Sequence, residues 1–346
     1  MNNEVAKILT EKACASIRYR TRKEIIEESP DIAEYLDEIL DDKRVKYVFT
    51  WQKADGYLGQ NFHAGWIPDA KLKRYNTGAE VALRFLSEMG VPENYPVVEK
   101  CLNALLKDNW NPDPWKWSTV YEPEIGLFGA NHIRAVVFSY FGIEGYDFIK
   151  TEIQQTLETI NRITEISSIE DITSTYRNKL YFSKGIALPD SYHLKLLAFT
   201  KGWRNSKNTS TVAKALGRLV DLSPIPHIYI KCGCQLAAPA EITPRDLKQS
   251  PHNLQDKDWF WWLHTMELLA RMGIVKQIPA LIQQANDLKE ILQEGDGFFP
   301  VKPNSSYFKK WSAHGGLALE DSWKNNRWKY DLTFRALLIL KYADML

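Results

Sequence analysis

Apolar residues recur every three to four positions along most of the chain, a spacing that places them on one face of an α-helix. Segments with this spacing come in pairs, and six pairs can be counted. The first members of the pairs are residues 16–27, 78–90, 128–142, 190–201, 258–273 and 330–343. Their partners are residues 31–42, 95–108, 146–165, 209–221, 276–293 and 2–13. The last assignment pairs the two ends of the chain.

The two sets of helices differ in composition. Segments of the first set, such as DWFWWLHTMELLARMG, are apolar on most sides, and a helix of that kind is buried. Segments of the partner set, such as PDIAEYLDEILDD, are amphipathic, so that one face covers a core and the other meets water. Six buried helices inside six amphipathic ones predict an all-α fold, an α/α toroid of about six helix pairs around a central cavity.

An α-solenoid of the HEAT type is the alternative, because it also consists of helix pairs. A solenoid predicts similar helices throughout and short, regular loops. Long loops rich in aromatic residues instead follow positions 51, 109, 166, 223 and 294. Long loops in compact domains are more often functional than idle. The toroid is therefore the favoured prediction, with residues 1–346 forming a single domain.

Two short segments have the composition of β-strands, namely VKYVFTW at 45–51 and PHIYIKCGC at 226–234. Their β-branched and aromatic residues favour extended structure. Both segments are short and isolated, so we expect neither to build a sheet.

Composition and charge narrow the class of protein. The 346 residues are 45% hydrophobic, and 44 basic against 43 acidic residues give a net charge of +1, which offers no general attraction to nucleic acid or anionic membranes. The N-terminal stretch lacks the apolar core of a signal peptide, and apolar runs such as ALLIL are too short to span a bilayer. We expect a soluble, cytoplasmic protein without a membrane span. We expect a small-molecule substrate and no nucleic-acid partner, and a protein partner is possible.

Two segments share the pattern Gln-x-x-Asp-Gly-aromatic, QKADGY at 52–57 and QEGDGF at 293–298. The pattern resembles the repeat of the terpenoid cyclase and protein prenyltransferase superfamily. The resemblance implies an α/α toroid in which the Gln caps helix ends, while the Asp-Gly turn and the aromatic ring brace the next helix pair. By the same resemblance, Gln52, Asp55 and Gly56 are structural.

The chemistry of that superfamily does not carry over. Its class II cyclases have an Asp-x-Asp-Asp motif, which this chain lacks, and the Asp-Asp-x-x-Asp motif of its class I synthases begins at Asp41 but fails at Val45. No Asp stands two residues before any of the four cysteines, as the zinc site of protein prenyltransferases requires. The same ring of helix pairs also serves carbohydrate-active enzymes, so the fold does not settle the function.

Polar residues near the starts of the buried helices are the candidates for a site, because these ends would point at the central cavity of a toroid. The candidates for proton transfer are His132, Asp190, His193 and Asp331. The candidates for substrate binding are Tyr57, His63, Asn131, Tyr192, Trp261, Trp262, His264 and Arg335. A cavity that gathers carboxylates and imidazoles pushes their pKa values apart, which suits general acid–base catalysis.

Each candidate also has a purely structural interpretation. Asp190 and Asp331 are good helix N-caps, because a carboxylate accepts hydrogen bonds from unpaired backbone N–H groups. A histidine such as His264 on an aromatic helix is often a hydrogen-bonded core residue. Taken together, the polar residues have two interpretations that stay open: groups that satisfy the helix ends of a large toroid, or a functional site.

Metal and cofactor signals are weak. His227 lies near Cys232 and Cys234, but one residue separates these cysteines, whereas zinc sites usually leave two to four. The glycine-rich stretch GLFGAN lacks both the lysine and the preceding strand of a phosphate-binding loop. We therefore expect no metal and no cofactor.

Three hypotheses for the function follow. The leading one is an enzyme that uses acid–base residues of an aromatic-lined central cavity on a small organic substrate, such as an isoprenoid or polycyclic compound. The alternatives are a carbohydrate-active hydrolase or lyase on the same toroid, and a non-catalytic scaffold that binds a protein partner. Converging carboxylates and histidines in a deep cavity favour an enzyme, whereas an exposed apolar patch favours a scaffold. An apolar pocket favours isoprenoid-like ligands, and many hydrogen-bonding groups favour sugars.

Overall fold

The computed structural model describes residues 3–63, 77–111, 122–183, 185–238 and 241–346. Within these residues the chain is mostly helical, with fourteen α-helices and a small mixed β-sheet. The helices are α1 Asn3–Lys12, α2 Ala15–Arg20, α3 Ala33–Asp41, α4 Lys43–Phe49, α5 Ala79–Met89, α6 Pro96–Leu105, α7 Gly129–Ser139, α8 Asp147–Arg162, α9 Ser191–Phe199, α10 Ser206–Asp221, α11 Asp256–Arg271, α12 Pro279–Glu294, α13 Ser305–Lys309 and α14 Trp328–Tyr342. A π-helical turn, Thr21–Ile26, continues α2. No helix in the described ranges has both the length and the apolar character needed to cross a bilayer.

The helical periodicity is confirmed, because each predicted segment contains a described α-helix. The first members of the predicted pairs correspond to α2, α5, α7, α9, α11 and α14. Their partners correspond to α3, α6, α8, α10, α12 and α1. Only the short helices α4 and α13, among those described, lie outside the predicted segments.

The helices of the first set contact one another in chain order. Helix α2 contacts α5, α5 contacts α7, α7 contacts α9, α9 contacts α11 and α11 contacts α14. Helix α14 in turn contacts α2 and its π-helical turn. Buried side chains of these helices, such as Phe85, Phe138 and Phe260, belong to one apolar core. The partner helices contribute to the same core through residues such as Ile149 of α8.

A four-stranded sheet departs from the all-α prediction. Strands β1 Thr173–Tyr176, β2 Lys179–Phe182, β3 Ile228–Cys232 and β4 Gln235–Ala237 lie side by side in that order. The β1–β2 and β3–β4 pairs are antiparallel, and the β2–β3 pair is parallel. The strand expected within 226–234 is confirmed, but the expectation that it builds no sheet is wrong, because β2 and β4 pair with it.

Two-residue turns explain how such short strands pair. Arg177 and Asn178, with φ of 50° and 59°, join β1 to β2. Gly233, with φ of 59°, begins the turn between β3 and β4. Positive φ in such turns matches the natural twist of paired strands. Arg-Asn is a weaker hairpin signal than Asn-Gly, which is why β1 and β2 have no clear signature in the sequence.

Residues 45–49 of the segment expected to form a strand belong instead to helix α4, and residues 50 and 51 lie in the turn that follows it. Asp42 caps α4 by accepting a hydrogen bond from a backbone N–H at 2.7 Å. Val45 and Val48 are fully buried and stand three positions apart, on one face of the helix. The cap and this spacing outweigh the β-branched composition of the segment.

The first Gln-x-x-Asp-Gly turn joins two helix pairs. The side-chain amide of Gln52 donates to the carbonyl oxygens of Gly56 at 3.1 Å and Val97 at 2.8 Å, and Val97 lies in α6. Gly56 has φ of +92°, and a Cβ built there would lie 2.8 Å from the carbonyl oxygen of Lys100. The turn at 293–298 follows α12, but its Gln side chain is exposed and makes no hydrogen bond within the described chain.

Five buried charged side chains and the half-buried Glu24 form a closed ring of ion pairs among α2, its π-helical turn, α5, α11 and α14. In order around the ring they are Arg20, Glu24, Arg271, Glu267, Arg335 and Glu88. Neighbours in this ring, called the ion ring below, have nitrogen-to-oxygen distances of 2.5 to 3.0 Å. Burial alone would raise the pKa of Glu88, but Arg335 and Arg20 hold it well below its usual value.

Candidate functional site

Two sizeable cavities lie at different places along the helices. The larger, about 400 Å³, lies at the C-terminal ends of α5, α7, α9, α11 and α14. Its Arg20, Glu24, Glu88 and Arg271 already pair within the ion ring. The smaller, about 280 Å³, lies between α9 and α11 and is called the α9–α11 cavity. Apart from the His227–Glu241 pair, its ionisable side chains Lys195, His264 and His314 make no ion pair within the described ranges, so it is the better candidate for a site.

Most of the residues that line the α9–α11 cavity have polar side chains. The lining residues are Ser191, Lys195, His227, Glu241, Thr243, Trp261, His264, Thr265 and His314. The structure thus brings the predicted residues Trp261 and His264 together, because both belong to α11. Burial, followed by the charges of Arg84 and Lys195, lowers the pKa of His264 well below its usual value, so this ring is neutral.

Lys195 places a buried amine at the cavity wall. The residue is 1% exposed, and its Nζ donates to the carbonyl oxygen of Ala313 at 3.2 Å. Nζ also lies 4.3 Å from the centre of the Tyr192 ring. No carboxylate within the described ranges lies within 4.0 Å of Nζ. Burial and the nearby charge of Arg84 lower the pKa of Lys195 to about 7.

A hydrogen-bonded chain runs beside the amine from the interior to a half-exposed histidine. The Tyr192 hydroxyl donates to Oε1 of Glu80 at 2.7 Å, and Nδ1 of His63 lies 2.7 Å from Oε2 of the same carboxylate. Burial alone would raise the pKa of Glu80, but His63 lowers it, and the result is about 2. Glu80 is therefore ionised near neutral pH and accepts a hydrogen bond from each partner.

His314 completes the group of rings at this end of the cavity. Its ring centre lies 5.9 Å from that of Tyr192 and 6.3 Å from that of His63. His314 keeps a solvent-exposed surface, yet desolvation by the surrounding cavity wall and the charge of Lys195 lower its pKa to about 4, so the imidazole is neutral near neutral pH. Two of the predicted binding residues, Tyr192 and His63, thus lie beside the α9–α11 cavity.

The predicted proton-transfer residues His132, Asp190 and His193 form a separate buried cluster. Asp190 caps α9, because its Oδ1 accepts the backbone N–H groups of Tyr192 at 2.9 Å and His193 at 3.3 Å. Nδ1 of His193 lies 2.8 Å from the same oxygen, and Nδ1 of His132 lies 3.2 Å from Oε2 of Glu152. Burial lowers the pKa of His193. The N-cap interpretation of Asp190 is confirmed, and none of the three lines the α9–α11 cavity.

Asp331 lies apart from these three residues. Its Oδ1 accepts the backbone N–H groups of Leu319 at 2.6 Å and Glu320 at 3.1 Å, and its Oδ2 accepts the indole N–H of Trp323 at 2.6 Å. Burial and the neighbouring Glu320 raise the pKa of Asp331 to about 7. Because α14 begins at Trp328, Asp331 is inside the first turn and fixes the preceding loop instead of capping the helix.

Four other predicted binding residues do not line the α9–α11 cavity. Arg335 belongs to the ion ring. The indole N–H of Trp262 donates to the side-chain oxygen of Gln284 at 2.7 Å, which directs the ring towards α12. Tyr57 is buried beside the first Asp-Gly turn, and Asn131 is half-buried in the first turn of α7.

The sequence reasoning missed Lys195, whereas Glu80, near the start of a buried helix, and His314, in the loop at 311–323, were possible candidates that were not among the residues chosen for the predicted site. A signal for Lys195 is present, because YHLKLLAF is a buried helix in which this lysine is the one strongly basic residue. Glu80 and His314 come together only through tertiary contacts between distant parts of the chain. No local spacing could have paired them.

Comparison with known proteins finds no match to the chain among protein-family models, curated proteins or solved structures. The functional argument therefore depends on the site itself.

Proposed function

We propose that the chain is an enzyme that moves protons on a small polar substrate in the α9–α11 cavity, with the amine of Lys195 as the base. The observation that carries this proposal is a lysine amine 1% exposed at a cavity wall with no carboxylate partner in the described chain. An unpaired buried charge costs stability, and an apolar side chain would fit an apolar helix better. Groups that are costly to stability and lie in a cavity are candidates for function.

The surroundings of Lys195 suit a general base. An amine whose pKa lies near neutral pH is about half uncharged there, and in that state it accepts a proton efficiently. After it accepts the proton, the ammonium group is stabilised by the face of the Tyr192 ring at 4.3 Å and by the Ala313 carbonyl oxygen at 3.2 Å. The neutral imidazole of His314 supplies a hydrogen-bond donor for the substrate.

The hydrogen-bonded chain beside the amine keeps the Tyr192 ring in place. Glu80 accepts the tyrosine hydroxyl on one oxygen and His63 on the other, so the carboxylate fixes both rings. His63 has a side chain that is 34% exposed, whereas that of Glu80 is 3% exposed. The half-exposed imidazole therefore links the buried hydrogen bonds of Tyr192 and Glu80 to the solvent.

The lining favours a polar substrate over a hydrocarbon. Lysine, histidine, threonine and glutamate side chains face the cavity, and Trp261 is the large apolar surface among the lining residues. An isoprenoid would leave these polar groups without partners. A hydrolase with two catalytic carboxyls is disfavoured as well, because Glu241 is the one carboxylate in the lining and it pairs with His227. A lyase remains compatible, since it also begins with proton abstraction.

We also propose that the helices form the α/α toroid that the sequence predicts, as in the superfamily that the Gln-x-x-Asp-Gly segments resemble. The support is the order of contacts, in which α2, α5, α7, α9, α11 and α14 each contact the next and the last contacts the first. In a toroid this order makes them the inner ring. The α9–α11 cavity would then lie inside that ring.

Exchange of substrate hydrogen for solvent deuterium tests the proposed function. Hydroxy acids, keto acids, amino acids and sugar acids are incubated with the protein in D₂O, and deuterium on carbon is followed by NMR. We expect exchange with at least one class, and a loss of about 100-fold or more in Lys195→Met, the size typical of a lost general base. Lys214→Met is the control, because Lys214 is exposed on α10.

Three outcomes would contradict the proposal. Equal exchange in Lys195→Met and the unaltered chain would remove Lys195 from the chemistry. Turnover of isoprenoid compounds, with none of a polar compound, would favour the hydrocarbon hypothesis. Absence of any turnover, together with capture of a protein partner, would favour the scaffold.

A further inference from the structure

The larger cavity, at the C-terminal ends of the buried helices, has features of a second ligand site. Its volume of about 400 Å³ is within the range of sites that hold small organic molecules. None of its lining residues lines the α9–α11 cavity, so it is a separate space. It is called the ion-ring cavity below, because four members of the ion ring form part of its wall, namely Arg20, Glu24, Glu88 and Arg271.

The lining of the ion-ring cavity has a surplus of positive charge. The ion ring itself is neutral, because it consists of three arginines and three glutamates. Burial alone would raise the pKa of Glu24, but Arg20 and Arg271 hold it well below its usual value, so this carboxylate is ionised. The other charged residues of the lining are three cations and one anion, namely Lys23, Lys201, Arg204 and Glu93. None of these three cations makes an ion pair within the described ranges.

Three hydrogen-bond donors of the wall have no partner within the part of the chain that the structure describes. Arg20 donates through Nε to Glu24 and through Nη1 to Glu88, which leaves its Nη2 free. Arg204 donates through Nε and Nη2 to carbonyl oxygens at the C-terminal end of α9, which leaves its Nη1 free. The third donor is the hydroxyl of Tyr140, and burial raises the pKa of this group, so it keeps its proton.

Capping of helix ends accounts for only part of this arrangement. Basic side chains near the C-terminal end of a helix satisfy its last carbonyl groups and its dipole. This explains the hydrogen bonds that Arg204 makes to α9. It does not explain why a guanidinium nitrogen of Arg204, a guanidinium nitrogen of the buried Arg20 and a tyrosine hydroxyl face one cavity without acceptors. Unmet donors together with surplus cations favour a negatively charged ligand.

Aromatic rings supply the apolar part of the same wall. The ring centres of Tyr140 and Phe199 are 5.0 Å apart. The guanidinium group of Arg271 lies 5.1 Å from the centre of the Phe199 ring and 4.4 Å from that of Tyr342. Tyr19 adds a further ring to the lining. A ligand with an apolar ring beside its charged group would match both parts of this wall.

We propose that the ion-ring cavity binds one small aromatic oxyanion, that is, an aromatic ring carrying a carboxylate or phosphate group. The charged group would accept hydrogen bonds from donors that the wall leaves free, since guanidinium nitrogens bind both kinds of oxyanion. The ring of the ligand would lie against the aromatic side chains. Lys23 and Lys201 are exposed, so they would attract the anion from solution. This site is independent of the proposed proton transfer in the α9–α11 cavity.

Titration of the full chain with matched probes tests the proposal. The probes are 1-naphthoate, 1-naphthyl phosphate and the uncharged 1-naphthamide, and isothermal titration calorimetry measures their binding. We expect at least one of the two anions to bind with one molecule per chain. Its affinity should exceed that of naphthamide by about 10-fold or more, because hydrogen bonds to charged groups are stronger than those to neutral ones. Comparison of the two anions shows which charged group the cavity prefers.

Variants of single side chains locate the bound anion. Tyr140→Phe removes a hydroxyl that has no partner in the described chain and keeps the ring, so it should fold normally and weaken binding by about 3- to 10-fold. Lys201→Gln should weaken binding by about 3-fold. Lys214→Gln, at an exposed position of α10, is its matched control and should leave the affinity unaltered. Lys195→Met changes the other cavity and should also leave it unaltered.

Three results would overturn this proposal. The first is that neither anion binds at millimolar concentration. The second is that naphthamide binds as tightly as the anions, which would mean that the charge of the ligand is not recognised. The third is that binding is lost in Lys195→Met but unaltered in Tyr140→Phe and Lys201→Gln, which would place the anion in the α9–α11 cavity.

Discussion

At the scale of single residues, we expect the buried amine of Lys195 to lower the free energy of unfolding. Its amine is buried in an apolar helix with one carbonyl hydrogen bond and no carboxylate within 4.0 Å in the described chain. Replacing a buried charge by an apolar side chain of similar volume is often stabilising. A residue that lowers stability and lines a cavity is a candidate for function.

Lys195→Met should therefore raise the free energy of unfolding, by roughly 1 to 4 kcal/mol, while it abolishes proton exchange on the substrate. Methionine fills the same volume and keeps the contact with the Tyr192 ring. Urea unfolding at neutral pH measures the change, and Lys214→Met on the exposed side of α10 should leave stability within about 0.5 kcal/mol. A destabilised Lys195→Met protein would indicate that the amine is a structural group.

Glu80 makes part of the stability depend on pH. Its pKa falls from 4.5 to about 2 on folding, so the folded chain binds its proton less readily than the unfolded chain does. This contribution is present above pH 4.5 and disappears as the pH falls towards 2. At most it amounts to about 3 kcal/mol, at 1.36 kcal/mol per pKa unit.

The stability difference between the unaltered chain and Glu80→Gln should consequently shrink as the pH is lowered from 4.5 to 2. Urea unfolding of both proteins at several pH values measures it. Glu99→Gln, at an exposed position of α6, is the control and should show no such trend. A difference that stays constant over this range would mean that folding, and the contact with His63, does not lower the pKa of Glu80.

At the scale of elements, periodicity predicted the helices but not the sheet. Apolar spacing is a local property, so every predicted helical segment is confirmed. The pairing of β2 with β3 joins residues 180–181 to residues 228–229, and no local pattern encodes such a distant contact. The site follows the same rule. Asp190 and His193 form a local capping box and were predicted, whereas Glu80 and His314 meet Lys195 only in the folded chain.

The turn at Gly56 gives a prediction at this scale. Gly56→Ala should destabilise the chain by about 2 kcal/mol or more, because its φ of +92° is unfavourable for alanine and the new Cβ would lie 2.8 Å from the Lys100 carbonyl oxygen. Gly145→Ala is the control, since no atom lies within 4 Å of a Cβ there and its φ is not in the left-handed range. Equal melting temperatures for the two variants would show that the turn does not hold α6 in place.

At the scale of the whole molecule, the ion ring connects helices that are far apart in the sequence. Glu88 of α5 contacts Arg20 of α2 and Arg335 of α14, so one carboxylate links three helices of the first set. Buried ion pairs are weak sources of net stability, but removal of one partner leaves an uncompensated charge. The ring therefore favours one arrangement of these helices over others.

Glu88→Gln should cost about 3 kcal/mol or more, because it leaves two buried arginines with one carboxylate fewer. Glu38→Gln breaks the exposed Arg18–Glu38 pair and should cost less than about 1 kcal/mol. Urea unfolding of both variants gives the comparison. Similar small losses in the two proteins would indicate that the ion ring is open to water.

The central claim is that Lys195 presents an uncharged amine inside a cavity, and labelling with a small acylating reagent measures this most directly. The folded protein is treated with acetic anhydride over a range of pH, and the labelled fraction of each lysine is read by peptide mass spectrometry. Our account predicts that labelling of Lys195 rises through about pH 7, well before the exposed lysines react. Labelling that rises only near the ordinary lysine value of 10.5, or no labelling until the chain unfolds, would contradict it.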